Sequence, residues 1–167
     1  MPEATSAPAL PVIYRCTIGP EWVDFNGHLR DGYYMVLFSS AVDALMDLAG
    51  LDAAGRKATG HSWFTLEAHI NYLHEVKQGT AVEVRLQMLG LDAKRLHVAL
   101  GLYAQGGAQV LALTEQMLLN VDMAGPRATA FAPQVAAYLQ PLAAQHAPLP
   151  RPAQVGRVMA LPLPPAK

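Results

Sequence analysis

Between Tyr33 and Leu48 the apolar side chains recur at helical spacing and cover most of the helix surface. Tyr34, Leu37, Phe38, Ala41, Leu45 and Leu48 form one stripe; Met35, Val42 and Met46 widen it, leaving a narrow polar strip at Ser39, Asp43 and Asp47. A helix apolar on most sides must be surrounded by protein. Gly50 supplies the residue type that ends helices cleanly. After a polar connection through Arg56, Lys57 and Gly60, the period switches to two. Phe64, Leu66, Ala68, Ile70 and Tyr72 alternate with polar residues, as in a strand with one buried face. Val82 to Met88 and Leu96 to Leu102 repeat that pattern, with Leu91 to Lys94 as a turn, and Gly106-Gly107 signals a hairpin into a long strand from Val110 to Val121. An earlier strand, Val12 to Ile18, completes the set. The expectation is an α+β fold, an antiparallel sheet of about five strands wrapped around one long central helix. Such a sheet covers the helix on one side only, so its edges and the helix ends favour pairing with a second copy.

Composition agrees with a single buried core. The chain has 167 residues, 52% of them apolar, and its 15% charged residues fall below a typical ~25%. Mean hydropathy is +0.19, which places some apolar surface in a subunit interface. A net charge of −1 gives no general attraction to nucleic acid or anionic lipid. The single cysteine, Cys16, excludes an internal disulfide and reads as a packing residue in a strand. No stretch approaches the ~18 apolar residues of a membrane span, and Met1 to Pro11 lacks the basic start of a secretory signal, so a cytoplasmic protein is expected. Residues 1–11 read as a flexible arm, 12–145 as the domain, with a short amphipathic helix from Pro133 to Ala144, and 146–167 as a proline-rich tail. The prolines keep that tail extended, either free or laid along a neighbouring subunit.

The chemistry concentrates just before the long helix. Asp24-Phe25-Asn26-Gly27-His28 sets a carboxylate, an amide, a glycine and an imidazole side by side at a helix N-terminus, where backbone N–H groups lack partners and the helix dipole is positive. A carboxylate beside oriented N–H donors is what thioester or ester hydrolysis requires. The same residues also make good turn chemistry, with Asp24 as a capping or turn residue. His28 either orients Asp24 or a water, or bonds the backbone of a tight loop, and Asn26 is similarly divided. Gly27 permits a backbone angle closed to other residues. His61, His69, His74, His97 and His146 show no metal-ligand spacing, and the chain has no Gly-x-Ser-x-Gly elbow and no P-loop. No metal site is expected.

Strand, Asp24-to-His28 motif, long helix and antiparallel meander together resemble the hotdog-fold acyl-CoA thioesterases of the 4-hydroxybenzoyl-CoA thioesterase type. The likeness covers Tyr14 to Asp122. It extends to the betainyl-CoA thioesterases of bacterial carnitine breakdown through residues 21–28, 66–69, 92–97 and 114–119. The resemblance implies a homodimer or homotetramer with active sites at the interface, Asp24 as the catalytic carboxylate, and CoA as part of substrate and product with no separate cofactor. One position departs: the family often has asparagine two residues after the histidine, where this chain has Arg30.

On that reading Asp24 attacks the thioester carbonyl or deprotonates a water that does, assisted by Asn26 and His28. The backbone N–H groups of Asp31, Gly32 and Tyr33 hold the oxyanion, with Asp31 as an N-cap competing for one of them. Trp22, Tyr33, Tyr34, Trp63 and Phe64 either fill core or interface positions or offer faces to a quaternary-ammonium acyl group by cation–π attraction. Glu67 or Glu115 either meets that cation in the acyl pocket or points to solvent. Lys94 and Arg95 are the leading candidates for the CoA phosphates, ahead of Lys77 and Arg127. Two other classes compete. A non-catalytic acyl-CoA binder would not need Asp24. An enoyl-CoA hydratase of the hotdog type carries Asp-x-Asn-x-x-His, and here Asn26 and His28 are one residue too close.

Overall fold

In the computed structural model, which describes residues 10–161, the apolar run becomes α1 (Asp31–Leu48). Tyr34, Leu37, Phe38, Ala41, Val42, Leu45 and Met46 are buried, and Ser39, Asp43 and Asp47 are exposed. The stripe breaks at its last position, where Leu48 is half exposed. Gly50, at φ +86°, turns the chain back so that the Leu51 N–H reaches the Met46 carbonyl at 2.8 Å, and Leu51 fills the core in place of Leu48. The polar connection through Arg56 and Lys57 contains a short helix, α2 (Ala53–Thr59). Asp52 caps it by accepting the Gly55 N–H at 2.8 Å.

The strands are β1 (Val12–Thr17), β2 (His61–Tyr72), β3 (Ala81–Leu91), β4 (Arg95–Ala104), β5 (Val110–Asp122) and the two-residue β6 (Arg127–Ala128). They form one antiparallel sheet in the order β1-β3-β4-β5-β2, with β6 added to β5. This is a hotdog fold, a curled sheet holding a helix. Leu96, Val98, Leu100 and Leu102 of β4 share one core with α1, so their face is the inner one. Register puts His97 opposite Met117 and Ala99 opposite Glu115 on the outer face.

The edge strand β2 departs from the expected alternation. A bulge between Thr65 and Glu67 breaks its pairing with β5. Phe64 and Leu66 therefore lie outward, 42% and 56% exposed, while Trp63 before the bulge is buried. From Phe64 to Ala68 every side chain is exposed.

The last helix, α3 (Pro133–His146), runs beside the half of β3 that β1 leaves unpaired. His146 Nδ1 there accepts the Met88 N–H at 2.9 Å. The tail then rounds the β3 edge, and residues 150–156 lie on the outer face of their own sheet. Gln87 Nε2 donates to the Pro150 carbonyl at 3.1 Å, Arg151 to the Leu89 carbonyl at 3.1 Å, and the Gly156 N–H to Glu115 Oε2 at 2.6 Å. Short polar side chains along the sheet give the proline-interrupted backbone the partners it cannot find in itself.

Two ends of the sheet matter for function. The Asp24 loop packs on the β2–β3 connection, where Leu29 N–H meets the Val76 carbonyl at 2.7 Å. The β3–β4 turn carrying Lys94 lies at the other end, about 30 Å away along strands of this length. Among the described residues, no single helix is long and apolar enough to cross a membrane.

Candidate active site

Asp24 shapes its own loop. Its Oδ1 accepts the Asn26 N–H at 2.8 Å and the His28 N–H at 3.1 Å, while its carbonyl accepts the Gly27 N–H at 3.0 Å. Gly27 has φ +76°, a conformation that strains any side chain with a Cβ. Among the described residues Oδ2 has no hydrogen-bond partner, so one oxygen is anchored and the other is available. The His28 N–H, then that of Asn26 and the charges of His28 and Arg30, hold the carboxyl below its ordinary value of 3.8. It is ionised at neutral pH.

The loop is braced from outside. The Gln78 N–H donates to the Gly27 carbonyl at 3.0 Å, and Arg30 Nε donates to the Val23 carbonyl at 3.0 Å. Arg30 therefore ties the two ends of the loop together. His28 Nε2 stands 3.3 Å from Glu75 Oε2, a pairing that nothing in the local sequence announces. The Asn26 side chain is exposed, and its contribution to the loop is its backbone N–H.

At the start of α1, Arg30 is the N-cap and Asp31 the first helical residue, which corrects the expectation of Asp31 as cap. Of the three amides expected to grip an oxyanion, two are engaged. Gly32 N–H donates to Asp31 Oδ1 at 2.9 Å, and Tyr33 N–H to the Arg30 carbonyl at 3.0 Å. The Asp31 N–H has no partner among the described residues. Two open clefts flank this terminus. One is lined by Arg30, Asp31, Gly32, Tyr33 and Val36, with Trp22 stacked on Tyr33 at 6.2 Å and 23°. The other is lined by Leu29, Asp31, Tyr34, Tyr72 and Glu75 among others, and Tyr34 meets Tyr72 edge-on at 5.1 Å and 82°.

The remaining expected site residues lie elsewhere in the protomer. Trp63 packs against Phe131 at 6.2 Å in the core, toward the far end of the sheet. Glu67, across from Met117, sits on the outer face, and Phe64 faces outward on the same edge strand. Arg95 is held by Asp92, with Nε and Nη2 at 2.8 and 2.7 Å from Oδ2. Lys94 is beside it in the far turn. The structure thus gathers Asp24, Asn26, His28, Asp31, Gly32, Tyr33 and Trp22 at one end, and leaves Trp63, Phe64, Glu67, Lys94 and Arg95 away from it. Tyr72 and Glu75 join the first group without having been expected there. Tyr72 read as an ordinary inward strand residue, and Glu75 carried no signal in the sequence.

Residues 18–139 match the family described as the thioesterase-like superfamily. The chain belongs to that superfamily. It is 56% identical to a betainyl-CoA thioesterase of Pseudomonas aeruginosa over 89% of this chain and 94% of that one. It is 39% identical to the L-carnitine dehydrogenase/betainyl-CoA thioesterase of Rhizobium meliloti over 84% of this chain, a match that spans 28% of that longer protein. Among solved structures, a Staphylococcus aureus protein in complex with CoA superposes with a TM-score of 0.84 at 27% identity, over 95% of this chain and 100% of that one. This thioesterase-superfamily chain is a thioester hydrolase.

Proposed function

We propose that the chain hydrolyses acyl-CoA thioesters whose acyl group is small and carries a quaternary ammonium, of the betainyl kind. The observation that carries the reading is the end-on grouping of an ionised Asp24, with one free oxygen, beside a cleft that pairs aromatic faces with carboxylates. A quaternary nitrogen has no N–H and cannot be recognised by a hydrogen bond. Only ring faces and opposite charge attract it, and Tyr34, Tyr72, Asp31 and Glu75 provide both. The 56% identity to a betainyl-CoA thioesterase supports the same substrate class.

In the proposed mechanism the free Asp24 oxygen either attacks the thioester carbon, giving an anhydride that water then cleaves to the free acid and the Asp24 carboxylate, or draws a proton from a water that attacks directly, and the Asp31 N–H takes hydrogen-bond load from the carbonyl oxygen as it gains charge. CoA leaves as a thiolate, which needs little help from a general acid. His28, held by Glu75, positions the loop and does not touch the reacting carbon.

The site is shared between two copies. The exposed stretch of β2 from Phe64 to Ala68 is an unpaired edge, and edges of this length are resolved by pairing. A two-fold antiparallel pair of β2 strands swaps ends, so that the Asp24 end of one protomer meets the far end of the other. Lys94 of the partner subunit then approaches the mouth of the site from a turn about 30 Å away in its own chain, and supplies charge for the CoA phosphates.

The deciding experiment measures free thiol released from betainyl-CoA and from its neutral shape mimic, tert-butylacetyl-CoA. Higher kcat/KM for betainyl-CoA, abolished in Asp24→Asn, is expected. Equal rates on both esters overturn the cationic substrate. Release that persists in Asp24→Asn overturns the assigned carboxylate.

A further inference from the structure

The outer face of the sheet holds features that hydrolysis does not use. After rounding β3, the tail crosses the sheet in strand order. It contacts Gln87 and Leu89 on β3 and then Glu115 on β5, where the carboxylate is braced by His97 Nε2 at 2.6 Å. Arg157 next lines a cleft with Glu67 and His69 of β2, the edge strand that follows β5 in sheet order. Past Arg157 the chain leaves its own surface. Val158, Met159 and Leu161 are 82%, 87% and 91% exposed, apolar side chains without cover among the described residues.

On the same outer face, a second cleft of about 320 Å³ is lined by Leu66, Leu91, Met117 and Gly90, with Arg95 and Asp92 at its rim. It lies toward the end of the sheet away from the Asp24 loop. His97 and Met117 line both this cleft and the one that Arg157 enters, yet Val158, Met159 and Leu161 of the same chain stay exposed and are not seated in it.

We infer that the tail is a strap between two copies of this chain, with Val158, Met159 and Leu161 of one protomer seated in the Leu66–Leu91–Met117 cleft of the other. The inference rests on the β2-to-β2 dimer proposed above. In that dimer the two outer faces become one continuous surface. A chain travelling β3, β5, β2 meets next the other copy's β2, and first its exposed Phe64 and Leu66. The strap is anchored on the side it leaves by the Glu115 carboxylate and on the side it reaches by apolar burial. Both clusters, exposed in isolation, are covered by one contact.

The test uses full-length chain with Cys16 replaced by serine and a cysteine pair introduced as Met159→Cys with Leu66→Cys. Mild oxidation should give covalent dimers on a non-reducing gel, because the strap seats position 159 of one chain at position 66 of the other. An internal disulfide, leaving a faster-running monomer, overturns the strap, and so does the absence of any crosslink. Sedimentation of the unmodified protein separates the two levels. A dimer with no interchain crosslink removes the strap and leaves the β2 pairing, whereas a monomer removes both. As an independent readout, Met159→Asp alters a solvent-exposed residue and leaves the protomer fold intact. It should weaken dimerisation by about a hundredfold, the loss of one buried apolar side chain from each of the two symmetric straps. An unchanged dimer dissociation constant overturns the inference.

Discussion

The buried ring of His146 accepts the Met88 backbone N–H through Nδ1 at 2.9 Å, and in doing so closes the one stretch of β3 that β1 leaves open. An acceptor nitrogen has to be unprotonated. Burial holds the His146 imidazole below its ordinary value of 6.5. The unfolded chain therefore binds this proton at a higher pH than the folded chain does, and stability is lost as pH falls below 6.5. Urea unfolding midpoints should drop between about pH 8 and about pH 5, and drop less in His146→Gln, whose carbonyl oxygen accepts at any pH. The lowered carboxylates Asp24, Glu83 and Glu115 act in a separate window, below 4.5, where their protonation removes stabilisation.

Asp24→Asn keeps an oxygen that can accept the Asn26 and His28 N–H groups but removes the charge. Hydrolysis should fall by about a thousandfold with little change in thermal midpoint. In the native chain the acid limb of kcat/KM should lie below 3.8, since the loop N–H groups favour the ionised form. A limb at higher pH would assign that titration to another group.

Gly27→Ala meets no atom within 4 Å of the new Cβ, so its cost is backbone strain alone. At φ +76° that strain is about 1–2 kcal/mol. Gly27→Asn should recover part of it, because asparagine tolerates this conformation. Denaturant titration of both variants gives the ordering, and activity should track it as the Asp24 oxygen shifts.

Tyr72→Leu and Glu75→Gln should raise KM for betainyl-CoA by roughly tenfold and leave tert-butylacetyl-CoA nearly unaffected, as expected where desolvated cation–π and charge contacts are each worth about 1–2 kcal/mol. Equal losses on both esters would assign these side chains a packing role. Glu75→Gln has a second effect to control for, the release of His28, which His28→Gln measures separately.

Lys94→Ala should raise KM for CoA esters by roughly fivefold, a typical value for one partly exposed charge, and spare thioesters of N-acetylcysteamine, which lack the nucleotide. Arg95→Ala should do less, because its guanidinium is already neutralised by Asp92.

The sequence made the helix and the order of strands legible because both are written in local periodicity. Tyr34 to Met46 can face one core in only one way, and Leu96 to Leu102 alternate over the whole of β4. The Asp24 loop was legible for the same reason, since Asp24, Gly27 and His28 close it among themselves. What lay beyond reach depends on partners distant in the chain. The faces of β2 were misread because a bulge at its edge reverses Phe64 and Leu66, and a bulge leaves no signature in alternation. Glu75 and Tyr72 reach the start of α1 only through the return of the sheet. The path of the tail is set by Gln87 and Glu115, 63 and 41 residues from the groups they bind. Trp63, which the sequence left between core and pocket, is a core residue against Phe131, a distinction that composition alone never makes.

The docking of residues 27–29 onto residues 76–78 has a consequence for anyone altering this enzyme. The carboxylate's aim is stored partly in a segment far from it along the chain, through Leu29 to Val76 and Gln78 to Gly27. Libraries aimed at new acyl specificity can therefore be drawn from the β2–β3 connection alone, tilting the Asp24 carboxylate by fractions of an ångström while its own five-residue signature stays untouched.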